Sequence, residues 1–270
     1  MAITTLDGAI AGAQPVVSFA KAVTGTMVAG RPWSTWALAG NPGAGSFDTT
    51  LAGVALSSTS AQVNGQLRHV DPVSGNSYLM GMSSTATQAG LLLLCDRLWH
   101  NGGFTITSAT AQTVNSATWP ARDNDGSTNG VGVILGMEIS AACGAAAPTI
   151  TATYTNSAGT GSRTATNSFA TANSPAAGSF FPIGLQAGDN GVRSVQSITL
   201  SVSWVSGTMN LVAYRVLAAL PIAGSFIPNS IDALTSGFPR IYNGSVPFLI
   251  FIPNTTTTSN ISGTYQETQG

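Results

Sequence analysis

Apolar and hydroxyl-bearing side chains alternate strictly from residue 198 to residue 204. Successive side chains of an extended strand point to opposite faces, so this pattern predicts one apolar and one polar face, as in a half-buried antiparallel strand. A turn at Ser206-Gly207-Thr208 leads into a second apolar stretch at 209–217. We therefore predict a β-hairpin made of these two segments.

Other segments carry the same kind of signal. Residues 149–154 and 163–166 predict a second hairpin, and residues 104–107 and 131–139 predict two more strands. The run at 90–99 is apolar at both odd and even positions in its first half, which favours a central strand covered on both faces. Because strands do not alternate with helices, the sequence predicts an all-β fold, an antiparallel β-sandwich of jelly-roll type.

The two ends of the chain differ in composition from its middle. Residues 1–60 predict an N-terminal arm with at most two short helices, because Pro15 interrupts the helical spacing and a second helix would occupy 18–25. Residues 61–220 form the predicted sandwich domain. Residues 221–270 combine recurrent prolines with large apolar groups and predict a C-terminal extension without a long strand ladder.

Charged residues are scarce, at 7% of 270 residues, with a net charge of -1. A lone soluble domain usually carries about 25% charged residues, so we expect much of this surface to lie against other protein. The predicted interface residues are the large apolar groups of the two end segments: Trp33, Trp36, Phe226, Ile227, Phe248 and Phe251.

Composition and motifs argue against several function classes. The sequence has no cluster of Lys and Arg that would indicate contact with nucleic acid. No apolar run is long enough for a membrane span, and the first residues do not resemble a secretory signal. No motif predicts a cofactor, and none pairs a nucleophile with a base, so we expect no enzymatic activity.

Two groups of residues nevertheless resemble chemical sites. Cys95, Asp96, Arg97 and His100 contain the ingredients of nucleophilic catalysis, but their spacing favours an ion pair between Asp96 and Arg97 near a strand end. Both cysteines, Cys95 and Cys143, are expected to be free, buried thiols.

The second group is the loop that begins at Asp123. Alternating oxygen ligands from Asp123, Asp125 and Asn129 make it a weak Ca²⁺ candidate. An EF-hand loop has an acidic residue at its twelfth position, but the twelfth position of this loop is Ile134. Asp and Asn also form plain turns that bind no metal. A polar loop is the favoured interpretation.

The segments 89–100 and 113–123, together with 156–160 and 182–189, resemble structural proteins of tailed bacteriophages. The resemblance implies a virion component made in the host cytoplasm. It favours a head decoration or minor capsid protein that contacts the major capsid or other virion proteins and forms a homo-oligomer, with a trimer as the expected symmetry.

Two alternatives stay open from the sequence. The first is a tail or collar subunit, in which the arms would join rings or tubes. The second is a carbohydrate-binding adhesin whose exposed tryptophans, Trp33, Trp36, Trp99 or Trp119, would stack on sugar rings.

Overall fold

The computed structural model describes residues 3–167 and 174–270. Strands hold 43% of the residues and helices 5%, and every strand pairing among the described residues is antiparallel. The all-β prediction is confirmed. The strands are β1 Val17–Val23, β2 Trp33–Ser34, β3 Gly40–Asn41, β4 Val54–Ala55, β5 Ser77–Ala86, β6 Gly90–His100, β7 Gln112–Thr113, β8 Ile134–Ala141, β9 Ile150–Asn156, β10 Arg163–Asn167, β11 Phe180–Gly184, β12 Val192–Leu200, β13 Thr208–Ile222, β14 Asn229–Asp232, β15 Arg240–Ile241, β16 Pro247–Pro253 and β17 Ser259–Gln269. The helices are α1 Leu6–Ala11 and α2 Ala233–Ser236, and a 3-10 turn spans Val63–Gly65.

The strands form two sheets. The larger has eleven strands in the order β2-β16-β6-β13-β8-β11-β10-β9-β12-β7, with β4 also paired to β6. The smaller has six strands in the order β14-β5-β17-β1-β3, with β15 also paired to β5. One apolar cluster joins the sheets, because Phe19, Leu79 and Ile261 of the smaller sheet share it with Leu92, Leu220 and Phe251 of the larger. This is a sandwich, as predicted.

Strand β6 lies in the interior of the larger sheet, between β16 and β13. Leu92 and Leu94 belong to the cluster between the sheets, whereas Cys95 belongs to a second cluster with Trp36 and Phe248. Apolar side chains therefore cover both faces of β6, which confirms the prediction made from its two-sided apolar run.

The N-terminal segment is part of the sandwich rather than a separate arm. The predicted first helix exists as α1, in which the Thr5 hydroxyl accepts a hydrogen bond from the Gly8 N–H. The second predicted helix, at 18–25, is wrong, since this segment is strand β1 and pairs with β17 and β3. Every second side chain of β1 is buried, namely Phe19, Lys21 and Val23. Because one of the three buried positions holds a lysine, the sequence does not show the alternation of apolar and polar residues that predicts a strand.

The C-terminal fifty residues also differ from the predicted extension. Strand β16 lies between β2 and β6 in the larger sheet, and β17 pairs with both β5 and β1 in the smaller. Pro247 and Pro253 stand at the two ends of β16, where a missing N–H interrupts the ladder least. The predicted boundaries at residues 60 and 220 therefore do not separate structural units.

The two predicted hairpins have different outcomes. Strands β9 and β10 pair directly, with Arg163 opposite Tyr154, so the hairpin at 149–154 and 163–166 is confirmed. The hairpin at 198–217 is wrong, because β12 pairs with β9 and β7, whereas β13 pairs with β6 and β8. Residues 201–207 form a loop between them, and residues 104–107 lie in a loop rather than the predicted strand.

In the two described ranges, no helix is both long enough and apolar enough to cross a membrane.

Candidate functional site

The structure divides the six predicted interface residues into two groups. Phe226 is 71% exposed and Ile227 is 53% exposed. The other four are fully buried in the protein's own core, so they are not available to a partner and this part of the prediction is wrong: Trp33, Trp36, Phe248 and Phe251. Trp33, Phe248 and Phe251 are buried because β2 and β16 join the larger sheet, and Trp36, two residues beyond β2, shares a buried cluster with Phe248.

The exposed pair lies in the loop between β13 and β14. The Phe226 N–H donates to the Ala86 carbonyl at 2.8 Å, and the Ile227 N–H donates to the Gly224 carbonyl at 3.2 Å. Phe226 has a φ of 57°, a left-handed conformation that costs a non-glycine residue roughly 1–2 kcal/mol. The loop thus holds a large aromatic side chain in solvent in a backbone conformation that glycine would adopt more easily, a kind of strain that concentrates at functional sites.

Asp96 lies at the centre of a buried ion network. Its Oδ2 is 3.2 Å from Nε of Arg122 and 3.6 Å from Nε of Arg215. The carboxylate also accepts hydrogen bonds from the Ser245 hydroxyl at 3.0 Å and the Val246 N–H at 2.9 Å. Burial opposes ionisation of Asp96, but these two guanidinium groups and two donors outweigh it and lower its pKa. The carboxylate is therefore held charged inside the protein.

Arg97 does not pair with Asp96, so the predicted ion pair is wrong. Its Nη1 lies 2.7 Å from Oε2 of Glu138 on β8, and its Nε donates to Nδ1 of His100 at 3.1 Å. The guanidinium stacks on Trp36 at 4.3 Å from the ring centroid. Neighbouring side chains of a strand point to opposite faces, which separates Asp96 and Arg97 into two different networks.

The buried position of the Cys95 group works against nucleophilic chemistry. Burial, followed by the positive charge of Arg97, lowers the pKa of His100 to about 2, so its ring is neutral. Burial and the charge of Asp96 raise the pKa of the Cys95 thiol well above its usual value. Burial also raises the pKa of Cys143 to about 11. Both cysteines are free and buried, as predicted.

The Asp123 loop uses its carboxylate to fix its own backbone. Oδ1 of Asp123 accepts the N–H groups of Asp125 at 3.0 Å and Ser127 at 2.6 Å, and Oδ2 accepts the Ser127 hydroxyl at 2.8 Å and the Val131 N–H at 2.9 Å. Asp125 and Asn129 are exposed. A cation on Asp123 would have to replace these donors, and within the described residues no three His, Cys, Asp or Glu side chains are placed to hold a metal. Calcium binding stays a prediction.

A titratable cluster that the sequence did not reveal surrounds His69. Its Nδ1 lies 2.9 Å from both carboxylate oxygens of Glu267, and its Nε2 lies 3.0 Å from Oδ1 of Asp71. A neutral imidazole carries only one N–H, so hydrogen bonds from both nitrogens to ionised carboxylates need the imidazolium form. The Tyr265 hydroxyl donates to Glu267 as well, and a β-bulge lies between Gln266 and Glu267.

The electrostatics of this cluster agree with its geometry. Burial opposes the charge on His69, but the hydrogen bond and the charge of Glu267, together with the charges of Asp71 and Asp96, raise its pKa above the usual 6.5. Burial raises the pKa of Glu267 by more than His69 lowers it. Because His69 and Glu267 are 198 positions apart, no local motif could have signalled their contact.

A cavity of about 200 Å³ borders the same cluster. Its wall is mostly apolar, with Arg68 and Glu267 as the charged groups. The apolar lining consists of Pro15, Val16, Val17 and Val70.

Lys21 is the other enclosed titratable group of the smaller sheet. Its ammonium donates to the carbonyl groups of Leu38 at 3.0 Å, Pro42 at 2.6 Å and Gly43 at 3.0 Å. Burial lowers the pKa of Lys21 to about 8. The three acceptors fasten the 38–43 segment to β1.

The tryptophans argue against the adhesin alternative. Trp33, Trp36, Trp99 and Trp119 are all buried, and the rings of Trp99 and Trp119 pack together with their centroids 6.2 Å apart. A ring that stacks on a sugar must be accessible to it. The predicted sugar-stacking role of these four residues is therefore wrong.

Comparison with known proteins gives no family for the chain. No protein-family profile matches it, and no curated protein matches it. Among solved structures, the chain is similar to the VP2 subviral particle of infectious bursal disease virus at 10% identity, with 96% of this chain and 82% of that chain covered and a TM-score of 0.21. The Gt strain of the same virus gives 9% identity, 95% and 82% coverage and a TM-score of 0.18. These TM-scores lie below the level at which two chains share a fold, and the resemblance to bacteriophage proteins stays a prediction.

Proposed function

We propose that this chain is a non-enzymatic structural subunit of a virus particle, and that it is a decoration protein on the head lattice of a tailed bacteriophage. The observation that carries the proposal is a surface with few charges and many large apolar side chains. Scattered exposed apolar residues are ordinary, whereas groups of them mark contact sites. The exposed large apolar residues are Leu6, Ile10, Val16, Val70, Val73, Val202, Val205, Val216, Phe226, Ile227 and Leu234.

The Phe226-Ile227 loop is the part of this surface that we assign to the contact with other virion proteins. Fully burying one such side chain contributes about 1.5–3 kcal/mol. A backbone hydrogen bond to Ala86 already fixes the loop, so little ordering of the backbone opposes binding. Each contact is modest, but a subunit held at several points of a lattice gains from all of them.

The placement of the reactive groups supports the non-enzymatic part of the proposal. Cys95 and His100 are enclosed. The raised pKa of Cys95 disfavours the thiolate, and the lowered pKa of His100 makes it a weak base. Asp96 is saturated by its ion partners and hydrogen-bond donors. These groups stabilise the interior of the sandwich.

Because the two end segments contribute strands to both sheets, the subunit would dock as a folded body. We assign its contacts to loops and to α1 rather than to extended arms. The trimer expected from the sequence stays a prediction.

The copy number of the chain in purified particles tests this function. Quantitative mass spectrometry should find enough copies to populate the head lattice, and cryo-electron microscopy should place them on the outer shell. A few copies located at the tail or the collar would refute the decoration role and support the tail-or-collar alternative. Absence from the particle would overturn the virion role itself.

A pair of matched variants tests the loop. Phe226→Ser with Ile227→Ser should reduce incorporation into particles, whereas Val202→Ser with Val205→Ser, which removes two exposed apolar groups from another loop, should not. Equal incorporation of both double variants would refute the assignment of the Phe226-Ile227 loop.

A further inference from the structure

We propose that two copies of this chain associate by docking α1 of each copy into the cavity of the other. The proposal rests on the function proposed above and names one partner of the structural subunit, which is a second copy of the same chain. The docking surface consists of the outer face of α1 and the cavity beside Arg68.

The outer face of α1 carries two large apolar groups. Leu6 is 74% exposed and Ile10 is 57% exposed, and residues four positions apart lie on the same side of a helix. The opposite side is in contact with β17, since Ala9 is buried and its carbonyl accepts a hydrogen bond from the Thr268 hydroxyl at 2.5 Å. More than half of the surface of Leu6 and of Ile10 therefore faces solvent.

The cavity offers a surface of matching chemistry. Val16 and Val70 are both more than half exposed and line it, so its rim is apolar and open. Arg68 stands on the same lining and is exposed. Glu267, the other charged group of the lining, is buried and paired with His69, so the charge that the cavity presents to an occupant is that of Arg68. An occupant therefore needs apolar side chains and a negative charge.

The charge of α1 complements that of the cavity. Asp7 lies in the first turn of α1, next to Leu6, and is exposed. In the described part of the chain, neither Asp7 nor Arg68 has a hydrogen-bond or ion-pair partner. Charged residues form only 7% of the sequence, so two unpartnered opposite charges, each beside exposed apolar groups, favour one contact that uses both.

The occupant must come from another copy. The segment that joins α1 to β1 is fixed to β17, because the Gln14 N–H donates to the Glu267 carbonyl at 2.8 Å and the Gln269 N–H donates to the Gly12 carbonyl at 2.9 Å. These bonds hold α1 on the outside of its own sheet. A twofold arrangement, in place of the threefold one expected from the sequence, lets each copy give its helix and receive the other, so every residue of the surface is used twice.

A charge-swap series tests this contact on the full chain. Sedimentation velocity should show a dimer for the natural sequence. Asp7→Lys and Arg68→Glu should each weaken the dimer about tenfold, since exposed pairs are individually weak but each substitution acts at two equivalent contacts. The double variant, Asp7→Lys with Arg68→Glu, should restore it. Arg193→Glu, a change at another exposed arginine, should have no effect.

A monomer for the natural sequence, or a double variant that dimerises no better than the single ones, would overturn the proposal. Leu6→Ser with Ile10→Ser gives a second readout and should abolish the dimer. A monomer that is present at lattice copy number in particles refutes the docking of α1 and leaves the structural role standing. If the chain forms a dimer that depends on Asp7 and Arg68 but is absent from particles, the docking of α1 is supported and the structural role in the particle is refuted.

Discussion

Replacing His69 tests whether a buried imidazolium holds the C-terminal strand in place. His69→Gln keeps one amide donor and removes the charge, so one of the two carboxylates at the ring loses its partner. The side chain of Asp71 is 46% exposed and can turn to water, whereas that of Glu267 is only 5% exposed. A hydrogen bond to a buried charged group contributes about 1.5–3 kcal/mol, and we expect a loss of this size near pH 6.

The dependence on pH follows from the direction of the pKa shifts. The folded-state pKa of His69 is raised, so its stabilisation is complete below 6.5 and is lost as the pH rises through the folded pKa. The pKa of Glu267 is also raised, so its contribution falls as well with rising pH, but from its ordinary value of 4.5 up to its folded pKa. The stability of the natural chain should therefore decline above neutrality relative to His69→Gln. Lys21, whose pKa is lowered to about 8, has the opposite effect at higher pH, and the comparison of the two chains cancels it.

Chemical denaturation at a series of pH values measures the stability difference, and NMR measures the protonation directly. The chain has two histidines, and His100, whose pKa is lowered to about 2, serves as an internal control. From about pH 5 to pH 9, the ring signals of His69 should titrate with a midpoint above 6.5 and those of His100 should not move. A midpoint below 6.5 for His69, or an unchanged pH profile in His69→Gln, would refute this reasoning.

Three further predictions concern buried groups. Asp96→Asn should lower the free energy of unfolding by about 3–5 kcal/mol, because it leaves two buried guanidinium groups without their counter-ion. Asp125→Asn, at an exposed site, is the control. A difference below 1 kcal/mol between the two variants in urea denaturation would count against the network. Lys21→Met should lower stability by about 1–3 kcal/mol, since three carbonyl groups lose their donor, and an unchanged melting temperature would contradict it. A thiol reagent should label neither Cys95 nor Cys143 in the folded chain and both after denaturation; rapid labelling of the native chain would show that their burial is incorrect.

Parts of this fold were accessible from the sequence because they depend on local pattern. The two-sided apolar run of β6 and the short connection between β9 and β10 can each be read without knowledge of distant partners. The hairpin at 198–217 failed because sequence neighbours need not be sheet neighbours, and a seven-residue loop moves β12 and β13 to different parts of one sheet. Strand β1 was not predicted because Lys21, a charged residue at a buried position, interrupts the alternation of apolar and polar residues that is typical of a strand.

The interface and the His69 cluster depend on information that a linear pattern does not contain. From the sequence, the apolar side chains of β16 could cover either a partner or the protein's own core. They lie in the core because the backbone of β16 pairs with that of β6. Phe226 is exposed because it lies in the short loop between β13 and β14, and its role in an interface stays a prediction. His69 meets Glu267 only after β17 has joined β5, so its role follows from topology.

The pairing of β16 and β17 with strands far earlier in the chain also sets the order of events in biosynthesis. Strand β6 pairs with β16 and β1 pairs with β17, so neither sheet can close before β16 and β17 have left the ribosome. Pairings between such distant segments make folding slow. Newly made chains would therefore expose unpaired strand edges for some time, and a cell that produces many copies at once would need to keep them apart until β16 and β17 have paired.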